Sequence, residues 1–504
     1  MTERSRATLI VIALVALAGA LRVLALDKSF YVDEIITLTV ASQPLSRMGT
    51  VMGQIDASPA LFPLLLHGWL FFGHADAWAR LLPAVFGIAA VYLVFRVASR
   101  AFGRGAGIAA ALVAAMAPAH VEYSQYVRSY SLLTCLAGAQ ILLVIDWFER
   151  KRRSPWRILA LSLVTTALLY THYVSILLFV PEGLIAATMF LRGRRRAALE
   201  WATAVLVAGL LFTPGISLLL HNIEFDRGRN EQRPARPPLG RLAVDLAGEL
   251  TVGPRTLGFG NPMARRATLA GAAVLFPALV VAGVVSGWRQ RPLATLTLVL
   301  VAVVPTAFFL LSGRRLIAVR FFLPFMVGYL VLLGQGLASL RPRWRILCGT
   351  ALVVICTVPL AHFFTRFEWG YDHRLVAREL EARRQSGDIL LFVHPYEQFY
   401  YRWYLDDRIP MHGLLFTALE NQSYVIKPAP LDFAQGVRSI ERLAPPQARF
   451  WIIGQSERGF TSRSPDERRL LEWLDSRYDR VADLSPMTDG DPVVRAYFSR
   501  GTSR

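Results

Sequence analysis

Asp33 and Glu34 stand side by side in "SFYVDEIITLTV", a few residues after the apolar run "TLIVIALVALAGALRVLAL", and Asp56 follows in "QIDASPALFP". An ionised group beside hydrocarbon is costly unless something pairs or uses it. Two further polar sets lie at the ends of apolar runs. "PAHVEYSQYVRSYSLL" carries His120, Glu122, Tyr123, Ser124, Gln125, Arg128 and Tyr130, and "YTHYVSILLFVPEG" carries Tyr170, His172 and Tyr173. "SGRRLIAVRFFLPF" adds Arg314, Arg315 and Arg320. A carboxylate within hydrogen-bond reach of a hydroxyl can take its proton and so activate a weak nucleophile. Arginines aimed at a leaving phosphate neutralise the charge that develops there. The residue types therefore suit transfer of a group from a phosphate to a hydroxyl, provided that other elements hold them at one place.

Those elements are membrane helices. Of 504 residues 54% are hydrophobic and 18% charged, with a mean hydropathy of +0.40, too apolar for an ordinary soluble chain of this length. The net charge of +19 is unevenly spread: residues 1–364 hold 35 Lys and Arg against 16 Asp and Glu, whereas residues 365–504 are balanced at 20 each. Basic residues concentrated in short loops between apolar runs orient spans, with the basic loops inside, so the charge gives no case for a nucleic-acid partner. Cys135, Cys348 and Cys356 all fall inside apolar runs and form no disulfide or thiol-metal pattern.

Runs long enough to span occur near 8–26, 80–99, 106–121, 129–148, 157–172, 173–191, 198–220, 267–287, 292–312, 321–340 and 344–364. The expectation is about 11 transmembrane helices, the first an uncleaved span rather than a signal peptide. "PALFPLLLHGWLFF" at 59–72 is too short and reads as interfacial. With the N-terminus cytoplasmic, the loops holding Arg96, Arg100 and Arg104, then "RKRR", "RGRRR", "RQR" and "RPRWR", all fall inside. The outer side then receives 27–79, the turn at 120–128, the stretch 221–266 and the tail from 365. Residues 1–364 read as a membrane catalytic domain and 365–504 as an extracytoplasmic α/β domain. In the latter, "DILLFVH", "RFWIIG" and "VVRAYF" have strand character, and "PDERRLLEWLDSRY" has helical spacing.

With carboxylates and arginines at one membrane face, the chemistry narrows to a sugar leaving a lipid phosphate for a hydroxyl, because a lipid carrier keeps its phosphate at headgroup depth. The sequence resembles the GT-C glycosyltransferases that use polyprenyl-phosphate sugars, among them protein O-mannosyltransferases, lipid A aminoarabinose transferases, and bacterial galacturonosyl and mannosyl transferases. The resemblance is carried by "YVDE", "DASPALFPLLLHGW", "RLLPAVFG", "EYSQYVRSYSL" and "VRFFLPF", in order over residues 27 to 325. It implies a GT-C architecture and an inverting hexosyl- or pentosyltransferase in the cell (inner) membrane. The donor would be a polyprenyl-phosphate sugar and the acceptor a lipid, glycan or protein. Asp33 matches the catalytic aspartate, the implied base, with Glu34 beside it for structure or positioning and Asp56 at the second acidic position. Arg128 and Arg320 match positions near the lipid phosphate, and Tyr123, Gln125 and His172 complete the substrate-binding set. The chain departs from the pattern at Tyr31, where Trp is common, at Pro59-Ala60 for Pro-Pro, and at Arg320-Phe321 for Arg-Tyr.

Plainer roles stand beside these. Asp33 can cap the helix that begins at "EIITL", Asp56 can start a turn, and the arginines can snorkel to headgroups. His172 between two tyrosines suits an interface belt. The resemblance admits a divalent cation, but Asp33, Glu34 and Asp56 alone do not specify a site. A transporter or flippase of a lipid-linked sugar is the alternative, and it calls for polar residues deep in the membrane and broken helices.

Overall fold

The computed structural model describes residues 3–55, 58–149, 155–231, 235–253, 262–312, 314, 317–365, 372–394, 397–405, 408–414, 432–444, 447–454, 465–485 and 493–498. The chain divides into two compact units, Met1–Leu26 with Ala57–Phe367, and Asp27–Asp56 with Glu368–Arg504. The segment that follows the first span thus groups with the tail, because its helix Val32–Ala41 packs on the tail helix Glu397–Tyr404.

Among the described residues of the first unit, eight helices are long and apolar enough to cross a membrane: Ser5–Val23, Asp76–Phe102, Tyr130–Glu149, Tyr173–Leu191, Arg195–Glu224, Pro262–Gln290, Pro292–Leu311 and Pro342–Thr365. A ninth is the pair Arg104–Met116 and Pro118–Ser124, bent by 62°. The other two expected spans are helical but shorter, Pro155–Thr171 with 17 residues and Met326–Ser339 with 14. The run at 321–340 loses its first turn because Pro324 cannot sit inside a helix without breaking a hydrogen bond. Leu61–Leu70, within the short run at 59–72, has ten residues and also falls short of a span. It is tied to the next helix by Trp69 and Trp78, which stack at 4.5 Å and exchange indole-to-carbonyl hydrogen bonds of 2.9 and 3.1 Å.

Met326–Ser339 is buried along most of its length. Glycine permits its close crossings: a Cβ on Gly334 would overlap the Ala110 backbone, and one on Gly336 would overlap the Leu279 carbonyl. The bend at 117 also has a chemical cause. Pro118 has no N–H to give the Ala114 carbonyl. The fully buried Arg22 of the first span supplies donors instead, to Ala114 O at 3.1 Å and Ala115 O at 3.3 Å, and reaches His120 Nδ1 at 2.6 Å. In return the end of the first span is closed by Gln125 Nε2, which donates to Leu24 O at 2.7 Å, and by Arg80, which donates to Leu26 O at 3.0 Å. Two helix ends thus satisfy one another's spare carbonyls.

The second unit is built on a five-stranded sheet of order β2-β1-β3-β5-β4, with β1 Ile389–Phe392, β2 Met411–Gly413, β3 Arg449–Ile453, β4 Asp479–Asp483 and β5 Val494–Phe498. β1 runs parallel to β2 and β3, and β5 antiparallel to β3 and β4. Leu391, Ile452 and Tyr497 from the sheet meet Ile440, Leu470 and Leu474 from helices Phe433–Leu443 and Pro465–Arg477 in one core. β1, β3, β5 and the helix at 465–477 fall where the apolar pattern puts them. β2 and β4 carry no such signal: β2 has three residues, and β4 reads "DRVAD", a polar edge strand with no buried face to impose alternation.

Candidate active site

In the second unit, the paired carboxylates have divided their roles. The helix starts after Tyr31, whose N–H donates to Glu34 Oε2 at 2.8 Å, so Glu34 closes the helix start and is 0% exposed. Asp33 lies in the first turn rather than at the cap, where the helix dipole favours its charge, and it is half-buried. The Thr37 hydroxyl donates to the Asp33 carbonyl at 3.0 Å. Phe30 sets its ring edge-on to Trp403 at 5.9 Å. Tyr400, on the same tail helix, has its hydroxyl pKa pushed well above the usual phenol range by burial, then by the negative charges of Glu397, Glu34 and Asp33. Asp56 lies outside the described residues.

In the first unit, the charges of three arginines act on one histidine. Arg128 sits in the turn after the bent helix, with one guanidinium nitrogen 3.5 Å from Ser58 Oγ. The turn is packed by Tyr123, Tyr126 and Tyr130, whose ring centroids lie 5.3 to 6.3 Å apart. Tyr130 and Phe321 each lie 6.2 Å from the His172 ring, and Phe321 stacks on Phe309 at 5.7 Å. Arg320 lies 5.5 Å over Phe321. The charges of Arg128, Arg320 and Arg314 all act on His172. His172 Nδ1 accepts the Val174 N–H at 3.2 Å, which leaves the hydrogen of a neutral ring on Nε2. An aromatic line thus joins turns far apart in sequence, and the charges of three guanidinium groups act on the imidazole within it. Such a cluster can take a phosphate through charge-assisted hydrogen bonds. Phe321, at the position where tyrosine is common, contributes an apolar ring to this line.

The remaining expected residues separate. Gln125 directs its amide nitrogen at carbonyls of the first span, and Tyr123 is buried among rings. Arg315 lies outside the described residues. Among the described residues no group of three or more His, Cys, Asp or Glu is arranged to hold a metal ion.

Three groups escaped sequence reasoning. Glu249, on helix Leu239–Val252, is held above the ordinary carboxylate pKa by burial, against the Val319 N–H and the Arg320 charge, which favour its ionised form. Beside it in the chain, Leu250 joins Thr306, Leu310, Phe322, Met326 and Tyr329 in lining an apolar cavity of about 340 Å³. Nothing in "LAGELTVG" signals either role. Arg22 and Glu182 were visible as charges inside apolar runs. Glu182 is fully buried, and its Oε2 accepts from Gln140 Nε2 and Trp201 Nε1, each at 3.1 Å, so it ties three helices together.

A many-span helical unit with a small sheet domain defines the class: the chain is a multi-pass membrane protein with the GT-C glycosyltransferase fold. Residues 57–217 match the family described as dolichyl-phosphate-mannose-protein mannosyltransferase. Among solved structures, apo ArnT from Cupriavidus metallidurans superposes with a TM-score of 0.64 at 15% identity, covering 98% of each chain. The same protein bound to undecaprenyl phosphate gives 0.62 at 15% identity, again over 98% of each chain. The oligosaccharyltransferase of Archaeoglobus fulgidus gives 0.54 at 11% identity, over 90% of this chain and 70% of its own. No curated protein matches the chain in sequence.

Proposed function

We propose that the chain transfers a sugar from a polyprenyl-phosphate carrier to an acceptor hydroxyl on the outer face of the membrane, with inversion at the anomeric carbon. The observation that carries it is that the charges of Arg128, Arg314 and Arg320 all act on His172, with Arg320 followed closely in the chain by residues of an apolar cavity. An anion cradle and an apolar cavity are the two features that a lipid phosphate needs. A solved GT-C structure, ArnT, binds undecaprenyl phosphate, which supports the donor class. In the reaction, Asp33 takes the acceptor O–H proton as that oxygen bonds to the anomeric carbon. The bond from that carbon to the phosphate oxygen breaks, and the phosphate leaves with the electron pair, stabilised by the arginines. A neutral His172 has its Nε2–H available as a further donor.

Transport of a lipid-linked sugar would call on charges deep in the membrane. Glu182 is such a group, but its partners are the side chains of neighbouring helices, as in helix association. The deciding experiment supplies membranes containing Asp33→Asn with radiolabelled polyprenyl-phosphate sugar. Transfer should fall by roughly 10²-fold or more, the usual weight of a general base; undiminished transfer removes Asp33 from the mechanism.

A further inference from the structure

The turn that carries Arg128 is held by groups that the reaction does not use. It follows helix Pro118–Ser124, whose seven residues are too few to hold a direction of their own. Within the turn the Gln125 N–H donates to Glu122 O at 3.0 Å and the Arg128 N–H to Tyr126 O at 2.7 Å, before the next helix begins at Tyr130. These local bonds shape the turn, and the end of the first span decides where it lies. Gln125, only 5% exposed, directs its amide nitrogen at three carbonyls there, Leu24 O at 2.7 Å, Arg22 O at 3.3 Å and Leu21 O at 3.4 Å. Arg22 is held from both sides. Its carbonyl accepts from Gln125, and its guanidinium bridges the bend, with Ala114 O and Ala115 O before it and His120 Nδ1 after it. A further bond of 3.1 Å to Ala18 O ties the guanidinium to its own helix. A buried arginine is costly unless it is hydrogen-bonded. Both terminal nitrogens of Arg22 find partners, and three of the four partners belong to the segment that delivers Arg128. The packing is close as well: a Cβ on Gly87 would overlap the Ser124 hydroxyl and crowd Arg22 Cδ. All of these residues belong to the first unit.

We propose that Gln125 and Arg22 are positioning residues for Arg128: together they clamp its turn to the end of the first span, so that the guanidinium is presented to the donor phosphate in one place. Gln125 thereby governs donor binding without touching the donor. The inference rests on Arg128 being a ligand of that phosphate.

The test uses full-length protein in detergent and radiolabelled polyprenyl-phosphate sugar from native membranes, with transfer measured against donor concentration. The variants are Arg128→Met, Gln125→Met and Arg22→Lys, and each of the last two combined with Arg128→Met. Gln125→Met keeps the length of the side chain and removes the amide. Arg22→Lys keeps the charge and removes the fork that bridges the bend. KM does not depend on how much of the protein is folded, so a variant that folds poorly loses signal and still reports. In Gln125→Met and in Arg22→Lys the donor KM should rise by roughly 3- to 10-fold with kcat per folded enzyme unchanged, because a loosened turn holds Arg128 in place for only part of the time. In the Arg128→Met background neither change should raise KM further, since the residue they place is gone. A parent KM in either single variant overturns the inference. So does a rise that multiplies with that of Arg128→Met, the mark of a residue that meets the donor itself, and so does a loss confined to the amount of active protein. A parent KM in Arg128→Met defeats the reading of Arg128, whatever Gln125 does.

Discussion

The arginine cluster of the first unit and the acid segment of the second place charge by opposite means. Arg128, Arg314 and Arg320 come from turns between helices, and their charges act on His172, which Tyr130 and Phe321 flank. Ring contacts hold the turn of Arg128 and that of Arg320 against one another through His172. Asp33 and Glu34 sit on one helix turn, and there the burial of one acid fixes the other: Glu34 is consumed by the Tyr31 N–H while Asp33 stays half-buried. A binding charge tolerates looseness, whereas a base must hold its angle to a proton. The difference between the two regions matches what the proposed reaction would ask of them.

Breaking the arginine side should give the largest effect on donor binding. Arg128→Met is expected to raise the donor KM about 10- to 100-fold, since a hydrogen bond to a charged group contributes roughly 1.5–3 kcal/mol. Arg128→Lys should recover only part, having charge without the planar fork. Titration of the transfer rate against donor concentration checks both, and an unchanged KM in Arg128→Met would remove that residue from phosphate binding.

Acid sharpens the comparison on the other side. Burial holds His373 and His394 neutral, with pKa values pushed down from 6.5 to about 3 and about 4. The unfolded chain takes up these protons near pH 6.5 and the folded unit only near the lower values. Stability is therefore fully present above pH 6.5 and is lost as the pH falls toward 4, by up to roughly 1.4 kcal/mol per pH unit for each histidine. Hydrogen exchange of the tail strands between pH 7 and 4 should show the loosening, and His394→Asn should lessen it. Protection that stays constant across that range contradicts the prediction.

The smallest effect belongs to Glu34→Gln. The amide oxygen can still accept the Tyr31 N–H, so only the charge at the helix start is lost, about 0.3–1 kcal/mol of stability. Transfer should suffer far less than in Asp33→Asn. Equal losses in the two variants would mean that the pair acts together and that the division of roles is mistaken.

The sequence by itself determined what local pattern can carry. Apolar run length and the placement of arginines marked the membrane helices, and alternation and acidic first turns marked β1, β3, β5 and the helix at 465–477. Charge beside apolar runs pointed to Asp33, Arg128 and Arg320, because an ion near hydrocarbon is conspicuous wherever it occurs. Only the tertiary structure decided which charges meet. It assigned residues 27–56 to the tail and Gln125 to the end of the first span, and it brought Arg314 to His172 and Glu249 to Val319. The physical reason is that a hydrogen bond or a ring contact between residues a hundred positions apart leaves no periodicity in the chain. It exists only once helices have closed on one another.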